Sequence, residues 1–195
     1  AARLHLLDRQ GGVWADDEVW WQMQALGPLT RHTKVAMLDP LLATTWLAAQ
    51  NVESVRHWID VQPDFDRIAT VVLHQGHWTP CVWVKKLCEL EVHLWEHESV
   101  DVEALNPLHG LMCQALQVPM FQTSCTRRQF GLQNCGAASI AFLQFKLHGL
   151  NLPVDDAHLA FAAQSLREDF RMSHDGFTRM PRPWCWGAGV PEVLG

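Results

Sequence analysis

Apolar residues recur at helical spacing in the first third of the chain, give way to strand-like runs in the middle, and return to helical spacing afterwards. Asp16 is a fitting N-cap for a first helix, with acidic residues in the opening turn and apolar positions through Leu26; Gly27–Pro28 stops it. Val35–Leu38 reads as a short strand. Asp39–Pro40 opens a second helix over Leu41–Ala49, cap first and proline in the first turn, and Asn51 caps a third through Ile59. Three β-rich runs follow in succession, Ile68–Leu73, Trp78–Val84 and Leu90–Trp95. The last two form a candidate hairpin, although Lys85–Cys88 carries no Gly or Asn to name the turn type. Helical spacing resumes over Val100–Val118, broken or restarted at Pro107. Pro119–Ser124 reads as another strand, Gly136–Leu147 as a helix, and Pro153–Asp155 caps a last helix through Phe170. This order predicts an α+β fold, a small central antiparallel sheet flanked by helices. It is expected to form one domain over 1–195, with its core at about 13–170 and an irregular tail over 171–195.

Composition narrows the function classes. The 195 residues are enough to bury a sizeable core, and 48% hydrophobic against 18% charged residues fits a globular enzyme or binding domain. A net charge of -6 disfavours nucleic acid as the main partner, since phosphate binding needs a basic face. Lys85–Lys86 and Arg127–Arg128 are the limited basic clusters. No apolar run approaches the ~20 residues of a membrane span, so no membrane partner is expected. Six cysteines at irregular spacing do not suggest a disulfide framework, which points to a reducing, intracellular compartment. The absence of Tyr rules out tyrosine chemistry. Opening on Ala1 and ending on Gly195, the chain is expected to be a domain excised from something longer.

The chemistry centres on Gln129–Phe130–Gly131–Leu132–Gln133–Asn134–Cys135–Gly136. Cys135 falls at a helix N-terminus, where backbone N–H groups and the helix dipole favour a thiolate. Gly136 leaves room for a substrate backbone. Most lone cysteines at helix starts are small buried hydrophobes, so the case depends on a base and an orienting acid elsewhere. A lone His before a Trp is more often structural than catalytic, but the hairpin geometry makes His77, before Trp78, the candidate base. If the hairpin turns about Lys86–Leu87, Cys81 faces Val92, Thr79 faces Leu94, and His77 lies across from Glu96, with Cβ atoms ~5 Å apart. Glu98 shares the parity and is the fallback; Asp101 is weaker. Gln129 and the Cys135 N–H would make a two-donor oxyanion hole. Cys81, Cys88, His93 and His97 could mimic a zinc site, but their spacing fits no paired-ligand pattern, and no metal or cofactor is expected.

His–Trp, then an acid near the end of the next strand, then Gln-x5-Cys-Gly resembles the ubiquitin-like-protein-specific cysteine proteases. These include SUMO/sentrin proteases and NEDD8 deconjugases, with adenovirus protease and YopJ-type acetyltransferases more distant. Trp14–Ala15–Asp16–Asp17–Glu18–Val19 resembles that family's Trp-Leu-Asn-Asp-Glu element. The resemblance implies a papain-like cysteine protease fold of the ubiquitin-like protease type. It makes Cys135 the nucleophile, His77 the base, Glu96 the orienting acid and Gln129 the oxyanion donor. Trp14 and Trp78 would wall a tunnel for a Gly-Gly tail, with Asp16 and Gly136 also at the substrate. Glu96 stands where the family usually has Asp, and Asn134 where it usually has Asp. The implied activity is a monomeric isopeptidase acting on ubiquitin, SUMO or NEDD8 conjugates, with ubiquitin slightly favoured. An acyltransferase using the same Cys thioester, or an inactive modifier-binding module, are the alternatives.

Overall fold

A computed structural model describes residues 16–26, 34–96, 101–127 and 135–147. Helix α1 is Asp16–Ala25, strand β1 Val35–Met37, helix α2 Pro40–Ala49 and helix α3 Val52–Asp60. Strands β2 (Arg67–His74), β3 (His77–Lys85) and β4 (Leu90–Glu96) follow, then a 3-10 turn at Val102–Leu105 and helix α4 at Asn106–Leu116. Strand β5 is Phe121–Arg127 and helix α5 is Cys135–Leu147. The expected last helix over 153–170 and the tail over 171–195 lie outside the described residues.

Local signals act where expected. The Asp39 carboxylate accepts from the Leu41 N–H at 2.8 Å, and the Asn51 side chain accepts from the Ser54 N–H at 3.2 Å, each meeting a donor that the helix start leaves open. Pro107 sits in the first turn of α4, where its missing N–H costs nothing.

The sheet runs β1-β2-β3-β4-β5. The central three strands are antiparallel, as expected, but β1 joins β2 and β5 joins β4 in parallel, so the sheet is mixed. Each parallel pair needs a crossover: α2 and α3 carry the chain from β1 to β2, and the 3-10 turn with α4 carries it from β4 to β5.

Both faces are covered. Val19 and Met23 of α1 and Ala138, Ile140, Phe142 and Leu143 of α5 pack on Val71, Trp78, Val82 and Trp95. On the other face Trp46 of α2, Val55 of α3 and Leu108 and Met112 of α4 cover Ile68, Cys81, Trp83, Val92 and Leu94. A central sheet buried on both sides is a rigid support for groups at its end.

This second core holds a titratable group. His109 of α4 is fully buried, its Nδ1 accepts from the Trp83 indole N–H at 3.1 Å, and its ring stands edge-on to Trp83 and Phe121. Burial pulls its pKa down to about 4. The neutral ring therefore belongs to the folded state. Its stabilisation is complete above the unfolded value of about 6.5 and is lost as pH falls through the folded value, about 3 kcal/mol in all. Urea unfolding at stepped pH should show this loss between pH ~6.5 and ~4. The His109→Gln variant, which keeps an acceptor but cannot titrate, should lose that component.

Candidate active site

Gln75 and Gly76 both take left-handed backbone angles, φ 48° and 76°, and close a two-residue hairpin between β2 and β3. The turn sets His77 as the first residue of β3, paired with His74. In such a hairpin the closing pair exchanges hydrogen bonds, so the next residue, Trp78, turns its N–H and C=O away from β2. On that side the β3–β4 ladder ends at Cys81↔Leu94, beside Pro80, which has no N–H to give.

The N-terminal turn of α5 fills this place. The hydroxyl of buried Ser139 donates to the Trp78 carbonyl at 3.0 Å. The N–H groups of Trp78, Gly136 and Cys135 itself reach the Cys135 sulfur and favour its charged form. One strand residue thus grips two side chains a helical turn apart. The Trp78 indole, 3% exposed, packs in the same core cluster as Cys135. Cys135, the expected nucleophile, is thereby brought against the residue that follows His77, the expected base.

The expected low thiol pKa is corrected. Burial pushes the Cys135 thiol above its ordinary value, outweighing the three N–H groups that pull it down. The sequence shows a helix start but not that Cys135 is only 4% exposed there.

The hairpin register also differs from the expected one. β3 and β4 pair as Cys81↔Leu94, Val82↔His93 and Trp83↔Val92, turning about Leu87–Cys88. Lys86 N–H bonds the Glu89 carbonyl at 2.9 Å, and Leu87 at the tip is 96% exposed. No Gly or Asn fixes this turn, so the midpoint moved by one residue and each pairing by two. The parity is unchanged. Counted on by two residues, the register puts position 96 across from Thr79, diagonal to His77 rather than facing it. The backbone of Glu96 is held on its other side by pairing with Arg127 of β5. Asp101 is otherwise engaged: its carboxylate caps the 3-10 turn at the Glu103 N–H, while its N–H and C=O bond Gln75 and His74.

Asp16 begins α1, and Gly136 is buried in the first turn of α5. Trp14, Gln129, Asn134, His97 and Glu98 lie outside the described residues. Cys81 and His93 belong to opposite faces of the sheet, and burial raises the Cys81 thiol well above its ordinary value. They cannot share a metal ion. The sequence reading missed Ser139 and the Trp78 backbone; a contact 61 residues apart leaves no local signal.

No family model and no curated protein matches the chain by sequence. Solved structures do match. The SUMO protease Ulp1 with its catalytic cysteine oxidized to a sulfonic acid superposes with a TM-score of 0.66 and 14% identity, covering 89% of this chain and 84% of that one. The C-terminal Ulp1 protease domain in complex with Smt3, the yeast ortholog of SUMO, gives 0.66 at 13% identity, covering 88% and 80%. The fold is that of the ubiquitin-like-protein proteases. XopD of Xanthomonas, described as one of these proteases, matches with a TM-score of 0.50 at 12% identity, over 78% of this chain and 99% of its own. At these identities what is shared is the ubiquitin-like-protease fold, the α+β arrangement around the mixed sheet.

Proposed function

We propose that this chain is a thiol protease that cleaves after the C-terminal glycine of a ubiquitin-like modifier. One observation carries the reading: a cysteine at the first position of α5, held at the backbone of Trp78, the residue directly after His77. A backbone N–H lies in the plane of the sheet. A sulfur beside it lies toward the strand edge of the face that Trp78 covers, and the ring of His77 is proposed to meet it around that edge.

His77 then acts as general base on a thiol that is protonated at rest, since burial holds the thiol pKa up. As His77 takes the proton, sulfur bonds to the glycine carbonyl carbon. His77 returns the proton to the departing lysine amine, and water hydrolyses the thioester, regenerating the thiol. Gln129 and the Cys135 N–H serve the oxyanion, and Trp14 and Trp78 flank the Gly-Gly tail.

Glu96 is the proposed orienting acid. A diagonal neighbour on the next strand is ~7–8 Å away between Cα atoms, within reach of a long side chain, and its backbone is fixed by β5. Glu96→Gln should lower kcat about 10²-fold or more, because an amide no longer favours the imidazolium, while Glu98→Gln stays within a few-fold. Steady-state cleavage by both variants checks this, and the reverse order would move the role to Glu98.

SUMO is the modifier to test first, because Ulp1 is described as a SUMO protease and its solved complex holds Smt3. Ubiquitin and NEDD8 stand beside it. Purified protein is mixed with isopeptide-linked conjugates of each. Release of one free modifier supports the reading and names the substrate; no release from any of the three contradicts it.

A further inference from the structure

Ser139 lies four residues after Cys135, on the same face of α5 and one turn along. Its side chain is fully buried. A helical serine commonly bonds back to the carbonyl four residues earlier, here that of Cys135 itself. Ser139 instead donates across the fold to the carbonyl of Trp78, at 3.0 Å. That carbonyl and the N–H that reaches the Cys135 sulfur belong to one residue and point the same way from β3. Fixing one fixes the other.

We infer that Ser139 is a positioning residue for the Cys135 thiol: its hydrogen bond to the Trp78 carbonyl holds the first turn of α5 at the height where the Trp78 N–H meets the sulfur. The inference rests on the reading of Cys135 as the nucleophile, but it makes a claim of its own about the sulfur's surroundings. Without the tether, the helix start can slide along the end of β3. The sulfur then loses a donor that favours its charged form, and burial acts with less opposition. The thiol pKa rises further and the thiolate becomes scarcer at neutral pH.

The test reads the sulfur directly. The alkylation rate of Cys135 by iodoacetamide is measured against pH by peptide mapping, which separates it from the other cysteines, in the wild type and in Ser139→Ala, Ser139→Cys and Ser139→Thr. Alanine favours a helix interior more than serine does, so Ser139→Ala is expected to fold. Thermal melts check each variant. Threonine keeps the hydroxyl and should keep the wild-type midpoint. Alanine and cysteine, with no donor or a feeble one, should raise the midpoint by about one pH unit, a roughly tenfold slower reaction at pH 7.

Equal midpoints in the folded variants overturn the inference. A set in which none folds also overturns it, by making Ser139 a residue of stability alone. Alkylation needs no substrate, so the two readings separate. A wild type that cleaves no conjugate but shows the Ser139 effect loses the protease reading and keeps this one, and active enzyme with unmoved midpoints does the opposite.

Discussion

Cys135→Ala is expected to abolish cleavage of a modifier conjugate, a loss of ~10⁴-fold or more in kcat, with the fold intact. The size follows from the chemistry proposed: without sulfur there is no thioester, and water would have to attack an amide unaided. The fold should survive because the change removes one atom from a site lined by Ala138, Trp78 and other apolar groups, a cavity too small to cost more than ~1 kcal/mol. Single-turnover cleavage followed on a gel, with circular dichroism of both proteins, measures the two halves of the expectation. The variant should still bind the conjugate, since the docking surface is untouched. An alanine variant that cleaves within tenfold of wild type would remove Cys135 from the mechanism.

The second large effect belongs to His77. Replacement by Gln, which keeps a polar side chain at the start of β3 but cannot take a proton, should cost ~10³-fold near pH 7. The shape of the residual pH profile is the sharper prediction. Burial holds the Cys135 thiol above the ordinary value of 9.0, so with no base present the thiolate must come from solvent alone. Residual activity should therefore climb about tenfold per pH unit through neutrality and not level off until pH exceeds that value. Wild type, in which the imidazole rather than solvent takes the thiol's proton, should instead level off at lower pH. Stopped assays from pH 6 to 10 compare the two. A His77→Gln profile parallel to wild type would mean that His77 does not deliver the proton.

What could be read from the sequence was mainly local. Asp39 and Asn51 announced helix starts because a cap acts within three residues of itself. The strand runs were legible because β-branched and aromatic residues were concentrated in them. Sheet order was less so: nothing in Val35–Met37 or Phe121–Arg127 says that each enters the sheet parallel to its neighbour, since direction follows from the crossovers. The hairpin register slipped by two because Lys86–Leu87–Cys88–Glu89 holds no residue that compels a particular turn. Parity survived the slip, since side chains alternate with a period of two, and so position 96 keeps the parity of position 77.

At the site, the order His77, Glu96, Cys135 was visible and pointed to a fold that the solved structures bear out. The depth of the sulfur was not visible. A helix N-terminus near a surface lowers a thiol pKa, whereas here apolar residues of β3 and α5 close around it and the balance reverses. The grip of Trp78 on α5 was hidden for a related reason, because it is made by backbone groups freed where a ladder ends.

The most direct test of the central claim is covalent capture. SUMO, ubiquitin and NEDD8, each ending in a thiol-reactive group in place of the glycine carboxylate, are mixed with the wild-type protein, and the adduct is mapped by mass spectrometry. The proposed function predicts one modifier joined to Cys135, with the same mixture leaving Cys135→Ala unlabelled. An adduct on another cysteine, or no adduct with any of the three, would contradict it.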